Sequence, residues 1–156
     1  MVKPFSFSND KSPYKTNTGI QFRHNHGKDV HAPGYYLHFE PSNVFAAVGI
    51  WHPDSRMLRK IRDAISENPS IWKKAVRRKP FRSRFELSGN SLRRAPKGYD
   101  PHHPLIEDLK SKDFIGTTPL SQEAVTRPEF VRDFAEICRA GLSFMKFLCD
   151  AVGQPF

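Results

Sequence analysis

The chain has 156 residues, 38% of them hydrophobic and 26% charged, which suits one folded core and excludes a disordered polymer. Its 25 Lys and Arg outnumber 16 Asp and Glu, for a net charge of +9. That balance attracts polyanions at range without choosing among them. No apolar run approaches the roughly 20 residues that span a bilayer, and Met1 to Phe5 lacks a signal-peptide core, so the expectation is a cytoplasmic protein with no membrane partner.

Thirteen prolines punctuate the chain and favour short elements over a long-helix bundle. Gly19 to Arg23 is a short candidate strand, followed by a polar, His-rich loop from Asn25 to Pro33. Tyr35 to Glu40 then alternates, with Tyr35, Leu37 and Phe39 on one face and Tyr36, His38 and Glu40 on the other. Pro41-Ser42-Asn43 reads as a turn. Val44 to Trp51 is almost wholly apolar, which predicts a strand buried on both faces and paired antiparallel with its predecessor.

Pro53 suits a first helical turn, and Asp54 or Ser55 can cap it. Leu58, Ile61 and Ile65 recur at helical spacing, with Arg56, Arg59, Lys60 and Arg62 on the remaining faces. Asn68-Pro69 ends that helix, and a shorter one is predicted over Ser70 to Val76. Leu87 to Asp100 reads mainly as loop. A short helix to Lys110 and a short strand over Asp113 to Thr117 are predicted next. Thr126 and Glu129 have capping-box spacing ahead of a final helix. Its stripe contains Phe130, Phe134, Ile137, Gly141, Met145, Leu148 and Val152, and Gly153 and Pro155 are stop signals. Cys138 and Cys149 would lie three turns apart on it, roughly 16 Å on a straight helix and too far for a disulfide. The fold expected is α+β: a small, mostly antiparallel sheet packed against several helices, with a long C-terminal amphipathic helix.

Asp10 to Thr16 is the densest polar constellation. Lys11 and Lys15 could hold a phosphate or carboxylate, and Tyr14 could add a hydrogen bond. The plain alternative is a solvated turn. His38 and Glu40 share one strand face and could form an acid–base pair or an anchored ligand contact. Lys73 to Arg84 is strongly basic, with Trp72, Phe81 and Phe85 interleaved. It reads either as a nucleic-acid surface with stacking rings or as a solvated face whose rings point inward. His24, His26 and the other histidines lack metal-ligand spacing, so no metal is expected, and nothing identifies a cofactor.

Several segments resemble one family when taken in order. They are Phe7 to Thr16, Pro33 to Pro41, Gly49 to Pro53, Leu92 to Asp100, and His103-Pro104. Together they are similar to the conserved hypothetical family known as domain of unknown function 2461, from about Phe7 to about Val152. The resemblance implies no established activity. Its polar signature falls on Asp10, Lys11, Tyr14, Lys15, His38, Glu40, Arg94, Gly98 and His103. It also implies a helical segment before the first motif, which this chain lacks. Asn9 departs from the family, where a basic residue is common, and His24 and His26 lie outside its pattern.

The expectation is therefore a single domain over residues 7–153, truncated at its start relative to the family. Its final apolar stripe would be left uncovered and available for self-association. The leading function is binding of an anionic small molecule, with Lys11, Lys15 and Arg94 supplying charge. Tyr14 and His38 would supply hydrogen bonds, Glu40 would orient a cation, and Asp10 and His103 would complete the site. A rival is an enzyme acting on a phosphate-bearing substrate, with His38 or His103 as base and Tyr14 or Lys15 as acid or stabiliser. Nucleic-acid binding through Lys73 to Arg84 is the third, less favoured reading.

Overall fold

The computed structural model describes residues 16–23 and 32–156. Its strands are β1 (Thr18–Phe22), β2 (Gly34–Phe39), β3 (Val44–Ile50), β4 (Glu86–Ser88) and β5 (Phe114–Leu120). They form one sheet in the order β1-β2-β3-β5-β4, and every neighbouring pair is antiparallel. The helices are α1 (Ser55–Glu67), α2 (Pro69–Arg77), α3 (Lys79–Arg82), α4 (Ile106–Lys110), α5 (Gln122–Thr126), α6 (Phe130–Ala140) and α7 (Leu142–Val152). The fold is α+β.

Strand parity decides what each face of the sheet does. Leu37 of β2 and Val44, Ala46, Val48 and Ile50 of β3 point into the core. That core also holds Ile61 and Ile65 of α1, Trp72 of α2, and Phe144 and Leu148 of α7. Helix α7 packs on β3 and against α1 and α2. The other parity of β2, Tyr36 and His38, faces away from these helices. We call this the outer face.

Local signals explain most boundaries. Asp54 caps α1 by accepting the Met57 N–H at 2.7 Å, and Pro69 opens α2. Gly153 closes α7 in the left-handed region at φ 73. Strand β5 runs past the predicted Thr117 to Leu120. A proline in a strand is a stop signal from sequence, yet Pro119 is accommodated because β4 ends opposite Thr117. Beyond that point β5 has no second strand neighbour among the described residues, so a missing N–H on that side breaks no ladder bond.

Four expectations are corrected. The predicted capping box fails because Pro128 drives Arg127 into an extended conformation, φ −76 and ψ 147. Thr126 therefore ends α5, which Ser121 caps by accepting the Ala124 N–H. The long final helix is two helices joined at Gly141. A Cβ at Gly141 would stand 3.1 Å from a Val48 methyl, so the absent side chain lets the junction approach β3. Cys138 thus belongs to α6 and Cys149 to α7, and both are free thiols. Third, most of the predicted stripe is covered: Ile137, Met145, Leu148 and Val152 are buried against this chain's own sheet and helices, while Phe130 and Phe134 are half-buried. Fourth, Arg62 is buried rather than solvated, and its Nη2 donates to the Ser111 carbonyl at 2.9 Å. Burial lowers its pKa from the ordinary value.

Candidate functional site

The outer face carries a continuous hydrogen-bonded line along β2. Alternation places Tyr36 and His38 side by side, and the turn after the strand brings Glu40 back towards them. Tyr36 Oη lies 3.0 Å from His38 Nδ1, and His38 Nε2 lies 3.3 Å from Glu40 Oε2. The same carboxylate oxygen accepts from Asn43 Nδ2 at 2.9 Å. The turn itself closes through the Asn43 N–H donating to the Glu40 carbonyl at 3.0 Å.

Neighbouring strands hold this line in place. The antiparallel register puts Phe45 of β3 beside His38, and their rings stack at 4.7 Å with 21° between planes. On the other side Gly19 of β1 pairs with His38. A Cβ at Gly19 would fall 2.4 Å from Tyr36 Oη, so only glycine leaves room for the phenol there. The His38 side chain is 12% exposed and that of Glu40 is 35% exposed. The imidazole is therefore fixed and largely covered, while one end of the line meets solvent.

Proton positions follow from the partners. An ionised Glu40 only accepts, so His38 Nε2 carries a proton. In the neutral ring Nδ1 then accepts, and the Tyr36 hydroxyl donates to it. If His38 takes up a second proton, Nδ1–H donates to Tyr36 instead, and the phenol proton is released for another acceptor. Burial raises the Tyr36 pKa, which keeps the phenol protonated.

The hydrogen bond from Asn43, and after it the one from His38, holds Glu40 below its ordinary value of 4.5. A lowered carboxyl pKa contributes above the ordinary value and is lost only as pH falls through the folded value. The His38–Glu40 link should therefore survive below pH 4.5. Carbon NMR of the Glu40 carboxyl is expected to titrate below that value, and Asn43→Ala should move the midpoint upward. A wild-type midpoint at or above 4.5 would contradict this assignment.

The structure brings together only part of the predicted set. Asp10, Lys11, Tyr14 and Lys15 lie outside the described residues, as do His24 and His26. His38 and Glu40 meet directly. Arg94 is exposed, without a hydrogen-bond or ion-pair partner among the described residues. His103 accepts the Leu105 N–H on Nδ1 at 3.0 Å, so that nitrogen serves the chain's own backbone. Both belong to the loop that Tyr99 ties to α1 by donating to Asp63 Oδ1 at 2.6 Å. Burial and this bond push the Tyr99 phenol up to about 12. The loop thus lies on the helix side of the sheet, away from His38.

Sequence reading missed Tyr36, Asn43, Phe45 and Gly19 as parts of the site. The spacing Tyr36, His38, Glu40 was a usable signal, but the roles of Phe45 and Gly19 depend on strand register. It also missed a second polar centre around Asp113, whose side chain is fully buried. Asp113 accepts the backbone N–H of His52 at 2.9 Å on one oxygen and that of Asn90 at 3.0 Å on the other.

The rings of the basic segment point inward, as in the second of the two readings offered for it. Trp72, Phe81 and Phe85 are all buried, so none is available to stack on a base. Phe81 instead packs on Phe85 and Phe144.

A model of a family of conserved hypothetical proteins, DUF2461, matches residues 3–147. The chain belongs to that family. No curated protein and no solved structure matches it. Among the described residues, no helix is long and apolar enough to cross a membrane.

Proposed function

We propose that this member of the conserved hypothetical family is a binding domain for a small anionic ligand, held at the outer face beside Tyr36, His38 and Glu40. The observation that carries this reading is the histidine fixed between a phenol and a carboxylate. The pair can store a proton without leaving a bare charge, because Glu40 balances a protonated His38. Once His38 is protonated, the Tyr36 hydroxyl turns outward as a donor suited to an anion.

Charge supports the same reading. The net charge is +9, and Lys11, Tyr14 and Lys15 lie in the segment that runs directly into β1. Lys15 is four residues from Gly19, so covalent geometry keeps their Cα atoms within about 14 Å of each other. Gly19 is the residue that faces the Tyr36 phenol. The lysines would supply the attraction and the line along β2 the orientation. Arg94, which the sequence reading placed in this pocket, is not required by it.

Calorimetric titration with inorganic phosphate tests the proposal. Wild-type protein should bind saturably. Removing one hydrogen bond to a charged group costs about 1.5–3 kcal/mol, so Tyr36→Phe should weaken binding roughly tenfold or more. Lys15→Ala should weaken it comparably, while Lys74→Ala on α2 should leave it unchanged. Binding that ignores Tyr36→Phe in a folded variant contradicts the proposal.

A second reading has one observation in its favour. The line ends on a phenol oxygen and could relay a proton from Tyr36 to His38 in an acid–base reaction on a phosphate ester. Turnover of p-nitrophenyl phosphate that disappears in both Tyr36→Phe and His38→Gln would favour the enzyme over the binding domain.

A further inference from the structure

Seven cations fall within the twelve residues that run through α2, α3 and the turn after them: Lys73, Lys74, Arg77, Arg78, Lys79, Arg82 and Arg84. No acidic residue stands between Glu67 and Glu86. Of the 25 Lys and Arg, the 18 outside this segment nearly balance the chain's 16 Asp and Glu, so one short segment carries seven of the nine net charges. The fold turns that charge outward. Trp72, Ala75 and Val76 bury one side of α2, and Phe81 and Phe85 anchor α3 and the turn beyond it. Six of the seven cations are exposed, and Lys73 is half-buried. Residues three and four apart are neighbours on a helix, so Lys73 and Lys74 both adjoin Arg77, and Lys79 adjoins Arg82. Among the described residues none of the seven side chains has a hydrogen-bond or ion-pair partner, whereas Lys110 and Arg139 pair with Glu107 and Glu136. Like-charged neighbours on a helix repel one another, and a counter-charge from outside the chain relieves that repulsion.

We propose that the α2–α3 surface binds the phosphate backbone of a nucleic-acid duplex without reading its sequence. A duplex carries about one charge per 1.7 Å of its axis, and a protein that neutralises several phosphates together releases their counterions. Two observations choose this polyanion over others. The rings interleaved with the cations are all buried, so an unpaired base of a single strand has nothing here to stack on. The apolar sides of both helices are packed into the core, with Ile71 the one large apolar side chain exposed on them, so the surface has no apolar face to enter a bilayer. Contacts from Lys and Arg to phosphates fix position and carry no sequence information. Trp72 and Phe81 both pack on Phe144, which places this surface on the helix side of the sheet. It is separate from the outer-face line and does not rest on anion binding there.

Fluorescence anisotropy with a labelled DNA duplex of about 20 base pairs, repeated over a salt series, tests the assignment. The slope of log affinity against log salt should lie between about −3 and −6, because each phosphate contact contributes about −0.9. The double variant Arg78→Ala, Arg82→Ala should make the slope shallower by about 2. Both positions are exposed, so the variant should keep the fold. Tyr36→Phe, on the far side of the sheet, should leave duplex affinity unchanged. A parallel RNA duplex identifies which of the two nucleic acids the surface prefers. The proposal is overturned by a slope shallower than about −1, or by a folded double variant whose slope matches wild type. It is also overturned if a single-stranded oligonucleotide of the same length, or phosphatidylserine vesicles, bind as tightly as the duplexes. Loss of duplex binding in Tyr36→Phe would move the site to the outer face and overturn the placement.

Discussion

Gly49→Ala is expected to destabilise the protein by about 3–6 kcal/mol, enough to leave much of the chain unfolded. Two effects add. The backbone at Gly49 has φ 129, a region that side chains rarely tolerate. A Cβ there would stand 2.0 Å from the Phe114 carbonyl oxygen and 3.0 Å from the Phe144 ring. The first obstacle is backbone of the neighbouring strand, which cannot rotate away. The second is a core ring packed between Trp72 and Phe81. Urea denaturation of the variant measures the loss, and a fall of less than 1 kcal/mol would refute this account of the strand. The Gly49 to Pro53 segment, one of those that suggested the family, therefore opens on a packing requirement and not on chemistry.

Asp113→Ala should be the next most damaging change, at about 2–5 kcal/mol. Among the described residues the carboxylate is the sole hydrogen-bond acceptor for the N–H groups of His52 and Asn90, and its removal leaves both without it. His52 is also one of two non-glycine residues among those described with positive φ, at 47. Its left-handed backbone turns the N–H towards Asp113, and its ring nitrogen Nδ1 lies 3.3 Å from the same carboxylate oxygen. Asp113→Asn keeps one carbonyl acceptor and should lose less than Asp113→Ala. Equal losses in the two variants, or an alanine variant within about 1 kcal/mol of wild type, would show that these bonds do not hold the corner.

These two residues show where sequence reading stops. The β2–β3 hairpin was legible because alternation and a near-continuous apolar run are local patterns. Helix α1 was legible, and of the two caps its sequence allowed, Asp54 or Ser55, Asp54 is the one that serves. Arg62 was misplaced because a long side chain on a helix edge can be buried whenever a carbonyl such as that of Ser111 meets it. The break between α6 and α7 was hidden because Gly141 sits in phase with the apolar stripe, and its small size matters only against Val48. The candidate site divides in the same way. His38 and Glu40 were visible as residues two apart on a strand. Phe45 and Gly19 could not be assigned to them, because only register brings three strands together at one imidazole. His103 looked like chemistry from sequence, yet its Nδ1 caps a backbone N–H.

The central claim is that the outer-face histidine couples anion binding to a reversal of the Tyr36 hydrogen bond. Nitrogen NMR of the His38 imidazole during a phosphate titration at fixed pH tests it most directly. The account predicts that Nδ1 begins as an acceptor and becomes protonated in proportion to bound phosphate, while Nε2 stays protonated beside Glu40. Saturable phosphate binding that leaves both ring nitrogens unchanged would place the anion elsewhere and contradict the account.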